Sequence, residues 1–331
     1  MHPTDNQNGD PPSPSEPKTR KISLFSGLIF AMLSGTLYSL VSVIVKQMKN
    51  LHPGQLSVYR FVALLVLSAP QTVQCGENPL GPKDYRVLIL LRAICGGGNI
   101  FFNFIAFRYL PLSEAIAIAF SVPVFVTVAA RVFLKEPCGV MQSFSVVLTI
   151  LGIIFTSKLP SRLTTNPVVY TSENVYGLLA AIAGVFFRAG QVILVRRMKS
   201  VHHTVITFNF GWQAMIGTAI LTAILGDFRW HDCGIQGVYI LLLGFLSFVG
   251  QTLQVMALQC EFAAPVSIVN GAADLVLAFV WQIVLFRTNP DSFGITGAIL
   301  VGISVIFVGL SKWISLMPEN SLQRKRLKWI L

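Results

Sequence analysis

The sequence predicts an all-α membrane protein of ten transmembrane helices, built as two inverted five-helix repeats. Three observations carry this expectation. Of its 331 residues, 53% are hydrophobic and 12% charged, whereas an average soluble domain carries roughly a quarter charged residues. The apolar residues are gathered in stretches that reach the ~20 residues needed to cross a ~30 Å hydrocarbon layer. Those stretches divide five and five about the longest connection, and an odd number of crossings per half turns the second half over relative to the first.

In chain order, residues 1–21 are rich in Pro, Asp, Asn and Ser and show no apolar periodicity. Such a segment buries too little surface to order itself and is expected to be a disordered cytoplasmic tail. The next stretch, 22–45, runs 24 residues without a charge, longer than the apolar core of a signal peptide. Spans at 54–75, 87–109, 112–134 and 137–157 complete a first repeat over residues 22–157. Residues 158–174 form the loop between repeats. Spans at 175–197, 204–226, 235–259, 262–286 and 292–314 make the second repeat, 175–314, and residues 315–331 a basic cytoplasmic tail. Pro and Gly mark the breaks, as in His52-Pro53-Gly54, Glu136-Pro137 and Asn289-Pro290.

The net charge of +11 is a topology signal. With the N-terminus in the cytoplasm, that side collects fifteen Lys and Arg and the other side seven, as the positive-inside rule requires. Both termini are then cytoplasmic, and the basic character calls for no nucleic-acid partner. The five cysteines are scattered without C-x-x-C spacing, so neither a zinc site nor a disulfide framework is expected. No G-x-S-x-G, H-E-x-x-H or Walker sequence occurs. The expectation is therefore no enzyme, no cofactor, no metal and no ATP-driven pump.

Residues 104–134 overlay residues 255–285 without a gap, pairing Ala106 with Ala257, Pro123 with Asp274 and Leu134 with Leu285. Further markers are Lys46 ending helix 1, Tyr59-Arg60-Phe61 early in helix 2 and Leu91-Arg92 in helix 3. Phe120-Ser121-Val122-Pro123-Val124-Phe125, Leu134-Lys135-Glu136, Gly250-Gln251 with Ala257-Leu258-Gln259, Ala264-Pro265-Val266 and Asp274 follow in order. In this order and spacing the chain resembles the drug/metabolite transporter superfamily with its EamA-like domains, and within it the group G branch of solute carrier family 35. The resemblance covers residues 22–314. It implies ten helices, two inverted five-helix repeats and a substrate cavity between them, and it leaves the substrate open.

Charges inside a bilayer are costly and mark functional candidates. Arg60 lies six residues into span 2 and Arg92 five residues into span 3; each either snorkels to the nearer interface or clamps an anion. Arg188 and Asp274 sit mid-span, where the choices are a mutual ion pair or a role in the transport cycle. Lys46 and Glu114, near span ends, join Arg188 and Asp274 as gating or coupling candidates. Amides fall on shared helix faces as Asn99 with Asn103 and Gln251 with Gln254, and Asn270 lies four residues before Asp274. Such amides line a cavity or glue helices. Tyr38, Ser39, Ser42 and Trp212 are further lining candidates. Gly27, Ala31 and Gly35 form a small-residue stripe for close packing, and Cys95-Gly96-Gly97-Gly98 marks a close-packed or hinged point in span 3.

The functional expectation is a secondary transporter of a small organic anion, first a di- or tricarboxylate and second a nucleotide-type phosphate. Substrate-binding residues are Arg60, Arg92, Asn99, Asn103, Gln251, Gln254, Asn270 and Asp274. The partners expected are an anionic small molecule and the lipid bilayer, and a homodimer is compatible with the sequence. The plasma membrane is expected ahead of the Golgi or endoplasmic reticulum. The rival readings are a non-transporting interaction protein working through its tails and a cation or drug exporter.

Overall fold

A computed structural model describes residues 25–48, 51–76, 78–109, 118–119, 121–136, 139–156, 172–225, 234–286 and 292–316. The sequence-predicted tails lie almost wholly outside the described residues, as do Glu114 and most of the loop 158–174. Among the described residues the chain is helical throughout, with no strand.

Ten α-helices are described: α1 Ser26–Gln47, α2 Pro53–Gln74, α3 Arg86–Tyr109, α4 Val122–Ala129, α5 Val140–Thr156, α6 Ser172–Arg197, α7 His203–Leu225, α8 Ile235–Cys260, α9 Ala263–Phe286 and α10 Ser292–Leu316. Six of them, α1, α2, α3, α6, α7 and α8, are long and apolar enough to cross a membrane. α4, α5, α9 and α10 carry shorter apolar stretches. α6 starts three residues before the predicted span. α4 starts at Val122, with Pro123 in its first turn, where the missing N–H of proline costs nothing.

The main contacts between the two halves follow one rule. α1 lies against α8 and α9, while α6 lies against α3 and α4. α2 packs on α8 as α7 packs on α3, and α2 pairs with α7 as α5 pairs with α10. For these pairs, adding five to each helix number, counted around ten, turns one contact into the other, and each half supplies a helix to the other's core. Ala106 and Ala257, matched by the sequence overlay, are both 0% exposed.

Small residues make the exchange close. A Cβ on Gly35 would strike the Asn270 carbonyl and lie 2.8 Å from Ala273 Cβ. A Cβ on Gly27 would come within 2.6 Å of Glu261 Cβ. Between them Ala31 is fully buried, and its carbonyl accepts from Asn270 Nδ2 at 3.2 Å. One turn on, Ser34 Oγ donates to the Gly250 carbonyl at 2.8 Å. The stripe is thus a helix-packing surface, the role small-x-x-x-small spacing serves in membranes.

One end of the bundle is tied by a polar knot. α4 runs into a single π-turn, Ala130–Leu134, and Lys135 follows in the left-handed conformation with φ 54°. That reversal brings buried Glu136 back toward α6. Glu136 Oε1 accepts from Arg196 Nε at 2.8 Å, and its Oε2 from the Ala263 N–H at 3.0 Å. Arg196 Nη1 donates to the carbonyls of Leu258 and Gln259 at 3.0 and 3.1 Å. The pair therefore satisfies the last carbonyls of α8 and the first N–H of α9, groups that helix ends leave without partners.

Candidate functional site

The polar interior is assembled from α1, α2, α3, α6, α8 and α9. Arg92 is the largest fully buried side chain, 1% exposed. Its guanidinium lies 4.3 Å from the Phe210 ring centroid, and Nη1 donates to the Ile206 carbonyl at 3.3 Å. It does not snorkel. Its Nε and Nη2 are buried without a hydrogen-bond partner. Gly96, one turn along α3, lets the Phe210 ring approach, for a Cβ there would collide with it. Gly98 does the same for Phe187, while a Cβ on Gly97 would meet nothing within 4 Å. The glycine run is therefore a packing device inside an unbroken helix.

Arg60 on α2 lies over the Tyr38 ring at 5.2 Å from its centroid and 5.7 Å from that of Phe61. Its Nε is also buried without a partner. Tyr38 is the meeting point. Its hydroxyl shares its one proton between Gln251 Oε1 at 3.0 Å and Gln254 Oε1 at 3.2 Å, joining α1 to α8. Arg188 on α6 does not pair with Asp274; its Nη1 donates to Gln191 Oε1 at 3.2 Å. Asp274 nevertheless lies within electrostatic reach of Arg188 and Arg60, and Arg92 within reach of Arg188. Three guanidinium groups and one carboxylate therefore share this region.

Two cavities open here. The larger, about 160 Å³, is lined by Asn99, Asn103, Ala119, Val122, Val185 and Arg188. Asn103 Nδ2 donates to Asn99 Oδ1 at 2.9 Å, so the two amides form one polar wall. The smaller, about 10 Å³, has the room of a single water molecule. Its polar lining is Arg92, Arg188, Gln191, Gln251 and Gln254. Arg188 lies on the boundary and lines both.

The structure thus brings Arg92, Asn99, Asn103, Arg188, Gln251 and Gln254 to cavity walls and sets Arg60 and Asp274 beside them. Asn270 is engaged in gluing α9 to α1. Lys46 stands one residue before the end of α1, away from this cluster in the chain, and Glu114 lies outside the described residues. Ser42 Oγ turns back to the Tyr38 carbonyl at 3.0 Å, and Trp212 Nε1 donates to Asn209 Oδ1 at 3.3 Å. Ser39 Oγ is buried and without a partner. Gln191 and the Glu136–Arg196 pair were not singled out from sequence. Gln191 carried a usable signal, since it stands three residues after Arg188 on the same helix face.

The EamA-like transporter family profile matches the chain twice, at residues 25–158 and 175–310. Human solute carrier family 35 member G1 is 28% identical over 307 residues, covering 91% of this chain and 84% of that protein. The pseudopaline exporter CntI of Pseudomonas aeruginosa is 24% identical over 87% of this chain and 98% of its own length. The S-adenosylmethionine uptake transporter of Rickettsia conorii is 23% identical over 86% and 92%. A solved crystal structure superposes with a TM-score of 0.76 at 16% identity, covering 88% of this chain and 99% of the other, a likeness of fold.

Proposed function

Because this chain belongs to the EamA-like transporter family, we propose that it is a secondary transporter moving a small organic anion across the membrane by alternating access. The observation that carries the anion is the charge inventory. Arg60, Arg92 and Arg188 crowd one region with Asp274 as their acidic neighbour. Buried charge of one sign is expensive, and a ligand of opposite sign offsets that cost. The unpartnered donors of Arg92 and Arg60 supply groups for carboxylate or phosphate oxygens. A di- or tricarboxylate is the first substrate class and a nucleotide-type phosphate the second.

The anion enters the larger cavity, where Asn99 and Asn103 orient it and Arg188 meets its charge. Arg92 and the two glutamines line the route onward. Asp274 is the counter-charge, or the proton site if transport is proton-coupled. The interchange of helix partners between halves supports an inverted pair of repeats, which provide the two gates of alternating access. Both termini lie in the cytoplasm in this reading, and the plasma membrane is the membrane of choice.

The test is uptake of labelled succinate and citrate into proteoliposomes of the purified full chain, with and without a pH gradient. Saturable uptake, abolished in Arg92→Ala and Arg188→Ala and at least about tenfold weaker in Arg60→Ala, is the expected result. No uptake of either acid by folded protein removes the carboxylate class.

A further inference from the structure

All three glutamine carbonyl oxygens along the smaller cavity are engaged. Gln191 Oε1 accepts from Arg188, and Gln251 Oε1 and Gln254 Oε1 share the single proton of the Tyr38 hydroxyl. Arg92, whose Nε and Nη2 have no partner, lines the same cavity. A primary amide is two-faced: rotation by half a turn exchanges its carbonyl for its NH2 at nearly the same position. Without a donor to hold them, Gln251 and Gln254 would turn their oxygens to the guanidinium groups, because a charged donor is the strongest partner within reach. The arginines would then be satisfied from inside the protein, and an anion would have to displace those bonds.

Tyr38 stands against that outcome. Its one hydroxyl reaches both carbonyl oxygens, and its ring lies beneath the Arg60 guanidinium. We propose that Tyr38 is the residue that keeps this site selective for anions, a positioning residue that holds the Gln251 and Gln254 carbonyls away from the arginines. The inference rests on the anion-transport reading and adds to it the reason why Arg92 keeps free donors in a wall otherwise rich in acceptors. Tyr38 itself does not hold the ligand; it acts through the orientation of two amides.

The experiment compares the full chain with Tyr38→Phe in proteoliposomes, using labelled succinate or citrate, whichever the unaltered protein carries better. Phenylalanine removes one oxygen and leaves the ring under Arg60. The expected result is a KM raised about tenfold, the effect of one charge-assisted hydrogen bond made inside the protein in place of one to the ligand. The maximal rate and the elution volume in size-exclusion chromatography stay unchanged. The decisive variant is Tyr38→Phe with Gln251→Met and Gln254→Met, which removes the competing carbonyls at nearly constant volume. Its KM falls back below that of Tyr38→Phe alone.

An unchanged KM in Tyr38→Phe overturns the role of Tyr38 while leaving anion transport in place. A raised KM that the two methionines fail to lower also overturns it, because the hydroxyl then acts by another route. If the unaltered protein carries neither acid, the carboxylate class falls and the same comparison is made with a labelled nucleotide; no uptake of that either overturns the anion reading and this inference with it.

Discussion

Arg196 Nε and Glu136 Oε1 meet at 2.8 Å, 60 residues apart in sequence, with side chains 13% and 10% exposed. Each partner also binds the α8–α9 joint, so three segments depend on one ion pair. Replacing one partner leaves the other charge buried and uncompensated. Glu136→Ala is expected to cost about 3 kcal/mol, read as a lowered midpoint of thermal unfolding in detergent. Glu136→Gln, which keeps acceptors for the Ala263 N–H and Arg196, loses less. A Glu136→Ala protein that melts with the unaltered one would show that the knot contributes nothing to stability.

Lys135 supplies a prediction of opposite sign. It is exposed and holds φ 54° without being glycine, a conformation costing an L-residue about 1 kcal/mol. Lys135→Gly removes that strain and keeps the reversal that presents Glu136. The unfolding midpoint should stay level or rise, and a clear fall would mean that the lysine side chain holds the turn.

The three consecutive glycines of α3 are not equivalent. Gly97→Ala meets open space and gains helix propensity, about 0.8 kcal/mol in favour of the folded state. Gly96→Ala pushes on Phe210, and through that ring on Arg92, at a cost of about 1–3 kcal/mol. Gly96→Ala should therefore lower both the unfolding midpoint and anion uptake, with Gly97→Ala as the control that lowers neither. Equal behaviour of the two variants would contradict this packing.

Gly35 meets backbone, and backbone cannot rotate out of the way. Gly35→Ala drives its methyl against the Asn270 carbonyl and comes 3.2 Å from the Asp274 N–H. It should be more damaging than Asn270→Ala, which loses one hydrogen bond worth about 1 kcal/mol. Expression and thermal unfolding of both variants check the order.

Asp274 carries the coupling prediction. Asp274→Asn keeps the shape and removes the charge beside Arg188 and Arg60. If the carboxylate takes a proton during transport, the variant carries anion down its own gradient but gains nothing from an imposed pH gradient. Unaltered stimulation by the gradient in Asp274→Asn would remove Asp274 as the proton site.

Much of the architecture was legible because hydropathy acts locally. The uncharged stretch 22–45 and the Pro53-Gly54 break needed no tertiary information to place α1 and the start of α2. Arg92 and the amide faces of α3 and α8 could be nominated for a similar reason: helical spacing puts them on one side. What the sequence could not say is what each faces. Arg92 meets Phe210 and Ile206, more than a hundred residues away, and no local pattern records that pairing. Charge alone offered Asp274 as one possible partner of Arg188, whereas Gln191 takes its hydrogen bond. Asn270, equally polar on paper, is spent on a neighbouring backbone.

The exchange of partners between halves has a consequence for synthesis. α1 leaves the ribosome long before α8, for the Gly250 carbonyl that receives the Ser34 hydroxyl lies 216 residues downstream. The bare strip of Gly27, Ala31 and Gly35 must wait in lipid, or beside the insertion machinery, until α8 and α9 have been made. A nascent chain cut off after its fifth helix would hold an unfinished core rather than half a transporter. Two separately translated halves could complete each other only by meeting in the same membrane.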